Sequence, residues 1–346
     1  MSGMRRVACL AVVLAFAAGC TGPGNGRSEL QKVTTAVGEF EISEPHVFRN
    51  LTVFLIHGDD QVTGKTFLTL DEALEQKKVV VHETGNVREL AIENKSAREH
   101  VYVPSGSIVK GGKQDRTIQY DMVLPPKSGA VPLASFCVES GRWSARGSEK
   151  ANEFSSAKDN LATRELKLAA KLKGSQSEVW QNVDKAQAGL SGNVGQTVSA
   201  GESPSSLQLT LEHKKVRQAI QAYTDALEKA VEGQDDVVGY AFAINGEINS
   251  ADVYGSAELF RKLWPDLLEA TAVEAVAKMQ KDKTFPAARP PAVARLFADA
   301  AGGKESEKKL ADGGKLTIKE SDKSVLFLVT DGAEPSKSYR TEYISK

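Results

Sequence analysis

A chain of 346 residues exceeds what one small core needs and suits two compact units, at roughly 150 residues per domain. With 41% hydrophobic and 26% charged residues it falls in the globular range, which excludes a wholly disordered or fibrous chain. Lys plus Arg number 44 against 45 Asp plus Glu, a net charge of −1, so no bulk attraction draws it to nucleic acid or an anionic membrane.

The N-terminus carries a targeting signal. Arg5 and Arg6 precede an apolar run, Val7 to Ala18, followed by Gly19-Cys20. The run is long enough for a signal-peptide core and too short to cross the ~30 Å hydrocarbon layer as a helix. Ala17-Ala18-Gly19-Cys20 resembles the bacterial lipoprotein box, in which small residues fit the peptidase and the thiol accepts the lipid. Leu is more usual where Ala17 stands. The rival reading is ordinary cleavage near Ala15-Phe16-Ala17, leaving Cys20 as a free thiol. The expectation is residues 1–19 as signal peptide, Cys20 as lipid attachment and 20–33 as a flexible tether, the protein facing the periplasm or the cell surface. Thr21–Ser28 holds three Gly and one Pro, and a coil from Cys20 to Val33 reaches on the order of 20 Å. Only Cys137 lies beyond the first 20 residues, so the three cysteines make no disulfide framework.

Residues 34–150 read as β-rich. Leu51–Ile56, Val79–His82, Val87–Ile92, His100–Val103, Ile118–Leu124 and Val131–Val138 are short runs rich in Val, Ile, Phe and Thr. Gly85-Asn86, Pro104-Ser105-Gly106 and Pro125-Pro126 punctuate them. This spacing predicts an antiparallel sandwich or small barrel, interrupted by a helical piece over Leu70–Lys77. Residues 151–233 read as helical: Phe154–Lys173, Ser177–Leu190, and a longer helix opened by Ser203-Pro204. Along the last, Val216, Ile220, Tyr223, Leu227 and Val231 form one apolar stripe, read as core packing. Gly189–Ser206, rich in Gly and Ser, reads as a mobile loop.

Residues 234–346 return to mixed structure. Val237–Ile244 and Glu247–Val253 flank Asn245-Gly246, a strong hairpin signal. Ser256 is placed to cap a helix through Phe260 and Trp264, with Pro265 kinking or restarting it. Residues 284–303 read as a Pro- and Ala-rich connection holding a short helix. Lys315–Lys319, Val325–Thr330 and Tyr339–Ile344 read as closing strands. The fold class is therefore α+β: a β-rich antiparallel N-terminal half packed with helices, plus a small C-terminal mixed sheet.

Familiar catalytic motifs fail. Gly58–Thr66 ends Gly-Lys-Thr, but five residues separate Gly58 from Gly64 where a P-loop has four, and a strand-like run follows in place of a helix. His46, His57, His82, His100 and His213 show no metal-binding spacing. Neither G-x-S-x-G nor G-x-G-x-x-G occurs. No cofactor, metal or nucleic-acid partner is expected.

Two segments remain. Gly111–Arg116 (GGKQDR) and Cys137–Trp143 (CVESGRW) concentrate long polar side chains at neighbouring strand ends. Lys113, Arg116 and Arg142 suit an anion, Gln114 would orient it, and Trp143 offers a stacking face. Asp115 and Glu139 are candidate acid–base groups. The same residues equally suit internal pairing, Asp115 and Glu139 neutralising Arg116 and Arg142, with Trp143 as core. Cys137, in an apolar strand, reads as a buried inert thiol.

GGKQDR, the Pro-Pro turn, CVESGRW and Ser177–Val183 (SEVWQNV) resemble segments of the bacterial ARG-and-rhodanese-phosphatase-superfamily-associated protein domain, ARG denoting ADP-ribosylglycohydrolase. Gly239–Asp252 and the Leu259-Phe260 to Trp264 helix fit its C-terminal part. The resemblance covers roughly residues 34–285, or from 34 to the end of the chain, and implies one integrated α+β domain. Its name implies a phosphorylated or nucleotide-like ligand and no particular activity. Ser140 stands where many relatives have Gln. Export would separate this chain from cytosolic nucleotide pools, against an intracellular ADP-ribose role. Three functions are consistent with these residues: an envelope lipoprotein binding a small anion, a hydrolase of a phosphate- or glycoside-bearing substrate, and a structural or scaffolding envelope protein.

Overall fold

The computed structural model describes residues 30–346 except 36, 147, 148, 150, 153, 161 and 162. The signal segment, Cys20 and most of the tether lie outside the described residues. Among the described residues the strands form three sheets. The largest is ten-stranded and antiparallel, in the order Gln31–Thr35, Gly38–Ile42, Leu51–His57, Val237–Ile244, Glu247–Tyr254, Ser338–Ser345, Ser324–Thr330, Lys315–Glu320, Lys304–Lys309. His46–Phe48 pairs with Leu51–His57 off that line. The second sheet runs Phe154–Asn160, Ser107–Gly111, Arg116–Ile118, Gly129–Cys137, Glu89–Asn94, Val79–Asn86. Met122–Leu124, His100–Val103 and Phe67–Thr69 form a third, mixed sheet, the last two strands being parallel. Both larger sheets curl into half-barrels. The fold class is α+β, as the strand and helix patterns imply. The closing strands extend the large sheet, so that sheet takes its strands from both ends of the chain.

Seven helical segments are described: α1 Leu70–Glu75, α2 Arg164–Lys167 continuing into a π-helical turn Leu168–Lys173, α3 Gln176–Val194, α4 Leu207–Leu211, α5 Lys214–Leu227, α6 Ala257–Ala277 and α7 Pro290–Ala301. Helices cover both faces of the large sheet. In Leu51–His57, every residue of which is buried, Leu51, Val53 and Leu55 pack into a core with α3, α5 and α6 residues such as Val183, Tyr223 and Phe260. Phe54 and Ile56, on the other face, pack with Val293 and Phe297 of α7. Period-two alternation sends side chains to both layers, which explains the unbroken apolar run LTVFLI.

Local signals hold where turn and cap chemistry is specific. Asn245 (φ 54°) and Gly246 (φ 81°) make the tight hairpin turn, and a Cβ on Gly246 would lie 2.7 Å from the Pro286 carbonyl oxygen. Ser256 caps α6 by accepting from the Leu259 N–H at 3.4 Å, and Pro265 sits inside that helix without ending it. Val216, Ile220, Tyr223 and Leu227 are buried on α5; Val231 is half-buried in the turn beyond. No described helix is long and apolar enough to cross a membrane.

Four local expectations change. The first part of Phe154–Lys173 is a strand, Phe154–Asn160, because its partner Ser107–Gly111 offers a free edge that helix propensity does not outweigh. Ser203-Pro204 opens no long helix: Ser206 caps α4, and α5 starts only after His213. Gly189–Ser206 is helical as far as Val194. Ile118–Leu124 divides between two sheets at Gln119–Asp121, where Asp121 turns into a buried ionic cluster. Lys304–Lys309, exposed throughout and charged at every position but Ser306, is a strand the pattern does not announce; its charges suit an edge strand.

Candidate functional site

The two segments singled out from the sequence come together. Strand Ser107–Gly111 ends in two positive-φ glycines, Gly111 (φ 124°) and Gly112 (φ 55°). At Gly112 a Cβ would lie 2.3 Å from the Phe154 ring, so only glycine lets the loop fold under that ring. The chain then re-enters the sheet at Arg116, opposite Cys137, which places GGKQDR beside CVESGRW. Gln114 Nε2 donates to the Glu139 carbonyl at 3.0 Å, and the Val138 N–H donates to the Asp115 carbonyl at 3.1 Å.

The charges meet inside the protein. Arg142 grips Glu139 with two nitrogens, Nε to Oε1 and Nη2 to Oε2, both at 2.7 Å, and its Nη2 lies 3.6 Å from Asp115 Oδ1. Arg146, which the sequence reading passed over, holds Asp115 from the other side, Nη1 to Oδ2 at 3.1 Å, and reaches Glu149 at 2.8 Å. Asp115 and Glu139 are fully buried, and the Arg142 and Arg146 side chains are 10% and 8% exposed. Arg116 pairs with neither acid. Its Nη2 lies 3.6 Å from Glu83 Oε2 and its Nη1 donates to Cys137 Sγ at 2.8 Å. Trp143 stands at the surface, 46% exposed, with Lys113 Nζ 5.0 Å and Arg116 Cζ 5.6 Å from its ring centroid.

The segment before α4 is fastened to this cluster. Ser206, the α4 cap, donates to Asp115 Oδ2 at 3.4 Å. Ser205 Oγ donates to the Ser140 carbonyl at 2.6 Å and accepts from the Ser140 N–H at 3.0 Å. Burial raises the Asp115 pKa against the pull of Arg146. Burial also opposes ionisation of Glu139, but hydrogen bonds from Arg142 and Ser203 outweigh it and hold that carboxyl below its usual range. Burial pushes the Cys137 thiol up to about 11, so it is a thiol at neutral pH. None of the seven predicted residues lines the main cavities among the described residues.

A second ionic cluster, deeper, was not anticipated. Arg340 gives Nε and Nη2 to Asp252 Oδ1 at 2.9 and 2.7 Å, Nη1 to Asp121 Oδ1 at 2.8 Å, and Nη2 to Glu342 Oε1 at 3.0 Å. Lys171, on the π-helical turn, meets Glu342 Oε2 at 2.5 Å and Asp121 Oδ2 at 3.4 Å, and Lys167 meets Glu342 Oε1 at 3.1 Å. Tyr102 and Ser105 donate to Asp121 at 2.8 and 2.9 Å. Burial alone would raise the Asp121 and Glu342 carboxyls; Arg340 and Lys171 outweigh it and hold both well below the usual range. Three carboxylates thus face three cations, joining the large sheet, the mixed sheet's entry and α2. A cavity of about 20 Å³ beside Ser105, Lys167, Tyr240 and Arg340 holds at most about one water. Asp252 Oδ2 and the Tyr254 hydroxyl have no hydrogen-bond partner among the described residues. The available signal is the alternation in Tyr339–Ile344, which places Arg340 and Glu342 together on one face of a strand.

No curated protein and no solved structure matches the chain. A family model does, over residues 39–333, a span that includes GGKQDR, CVESGRW and SEVWQNV. On that match the chain belongs to the family of the ARG and Rhodanese-Phosphatase-superfamily-associated Protein domain.

Proposed function

We propose that this chain is an exported, lipid-anchored domain of the bacterial cell envelope that acts as a structural or recognition element without catalysing a reaction, its GGKQDR–CVESGRW cluster serving as an internal latch. The export reading rests on the basic start, apolar run and Gly19-Cys20 of the N-terminus. The latch reading rests on one observation: the two candidate acid–base groups, Asp115 and Glu139, are buried beneath Arg142 and Arg146. A general base must reach a substrate proton within hydrogen-bond distance, and neither carboxylate has a surface to offer. The test is a panel of phosphate esters, nucleotides and glycosides with the wild-type chain and Glu139→Gln. No turnover by either is expected. Turnover by the wild type that Glu139→Gln abolishes, at unchanged melting temperature, restores the hydrolase reading.

Anion recognition at the same loops is favoured by one separate observation. The Lys113 backbone N–H donates to Glu83, but its ammonium has no acidic partner among the described residues and stands over the half-exposed Trp143 ring. A phosphate with an attached ring would meet charge and stacking surface together. Quenching of tryptophan fluorescence by a nucleotide in the wild type, lost in Trp143→Ala and Lys113→Gln, supports this reading. An unchanged titration in both variants removes it.

A further inference from the structure

A broad, open cleft with uncommitted charge shares no residue with the latch. It is a cleft of about 840 Å³ between α7, the Asn245-Gly246 hairpin and the chain's last residues. Four cations line it, Arg164, Arg295, Lys323 and Lys346, against two acids, Glu247 and Asp299. Its remaining wall is largely apolar, from Ile248, Ala292, Leu296 and Ala298.

The pairing inside the cleft is lopsided. Asp299 lies four residues after Arg295 on α7, the spacing at which the two would ordinarily pair. Asp299 instead accepts from the hydroxyls of Ser321, at 2.6 Å, and Ser324, and those two hydrogen bonds hold its carboxyl below the usual range. Arg295 is exposed and has no side-chain partner among the described residues; Lys323, also exposed, makes no side-chain hydrogen bond or close ion pair there, and its charge helps to hold the Asp299 carboxyl down. Arg164 is braced by Ser345 at 3.0 Å and Glu165 at 3.2 Å, and Lys346 by Glu320 at 2.5 Å. Two cations are therefore braced, Arg295 is free, and Lys323 is held only by through-space attraction to Asp299, around an apolar wall.

We propose that this cleft binds a small amphiphilic anion, an apolar body carrying a phosphate or carboxylate head, with Arg295 and Lys323 on the head and Leu296 and Ile248 against the body. A guanidinium grips either head through two hydrogen bonds; the apolar wall adds affinity with each methylene it buries. The inference is independent of the latch.

The test is calorimetric titration of the full chain with octyl phosphate, octanoate, inorganic phosphate, octanol and octylammonium. Octyl phosphate or octanoate is expected to bind, and the stronger of the two identifies the head group. Inorganic phosphate and octanol are each expected to bind more weakly than the preferred amphiphile, lacking body or charge. Arg295→Gln with Lys323→Gln, both at exposed positions, is expected to weaken binding at least about tenfold, equivalent to about 1.4 kcal/mol. Glu247→Gln, which removes an acid from the cleft, is expected to strengthen it. Octylammonium binding as tightly as octyl phosphate, equal binding by the double variant, or no binding of either anionic amphiphile overturns the proposal. The double variant also separates the cleft from any uptake of amphiphile by the apolar N-terminal segment.

Discussion

Arg340 donates twice to a single oxygen of Asp252, at 2.9 and 2.7 Å, while the other oxygen of that carboxylate has no hydrogen-bond partner among the described residues. The pair is sealed from water, with Arg340 3% and Asp252 0% exposed. Its geometry fixes how the last strand packs against the rest of the molecule. Arg340→Met leaves three buried carboxylates with two lysines, and its expected loss is about 3–5 kcal/mol, the range for breaking a buried pair from one side. Arg340→Met with Asp252→Leu restores the balance. Urea unfolding should therefore show the double variant losing less than the two singles added together, by about 1 kcal/mol or more. Strict additivity would mean that the contact carries no coupling energy.

The latch makes a parallel prediction with a different readout. Arg146→Met removes the principal partner of Asp115 and one partner of Glu149. The expected effect is a loss of about 3 kcal/mol together with faster proteolysis at residues 203–207, the segment Ser206 ties to Asp115. Destabilisation without local cleavage would show that the α4 segment is held by its apolar contacts alone.

Acidity acts on the two latch carboxyls in opposite senses. Glu139 has a lowered folded pKa, so its stabilisation is present above the ordinary carboxylate range and is lost as pH falls through the folded value. Glu139→Gln is therefore expected to be least damaging at low pH. Asp115 has a raised folded pKa, so its contribution is complete below the ordinary range and is lost as pH rises through the folded value. The stability of Asp115→Asn relative to wild type should rise from about pH 3 to pH 7. Melting curves across that span check both slopes, and parallel slopes for the two variants would contradict the assignment.

Cys137 is 1% exposed, and burial, opposed by Arg116, pushes its thiol up to about 11. At pH 8 iodoacetamide is expected to spare it in the folded protein and to modify it in urea, as peptide mapping would show. Modification in the folded state at the unfolded rate would place the thiol at an open surface.

The anchor has its own test. Cys20→Ala is expected to move the protein from the membrane fraction to the soluble envelope fraction, with loss of the lipid mass from its N-terminal peptide. Retention on membranes in that variant would argue against lipid attachment at Cys20.

What the sequence discloses follows the range of the interaction. Asn245-Gly246 and Ser256 are legible because the turn and the cap are satisfied within a few residues. Lys113 through Arg116 and Glu139 through Trp143 are legible as a cluster because one sheet brings two charged loops together, though the reading could not foresee that Arg116 would choose Glu83 over Asp115 or Glu139. Arg146 was missed although it follows Arg142 closely, since no secondary-structure period links the two across an irregular loop. Phe154–Asn160 reads as a helix on composition and becomes a strand through a partner far back in the chain. Asp121, Lys171, Asp252 and Arg340 share no spacing at all. A charged residue within a strand normally signals a solvent face, and only the neutralising partners from other elements turn that face inward.

The threading of the large sheet bears on the order of events during synthesis. Leu51–His57 lies beside Val237–Ile244, and Glu247–Tyr254 is completed on its far side by Ser338–Ser345. Leu51–His57 finds Gly38–Ile42 and His46–Phe48 early, but its other edge waits for Val237–Ile244, and such distant pairings form slowly. Until then LTVFLI has an open edge and lacks the helices that cover it, which exposes it to wrong partners. A chain released before residue 338 would lack Arg340 and with it the buried partner of Asp252, so that carboxylate would be stranded along with the loss of the last strand.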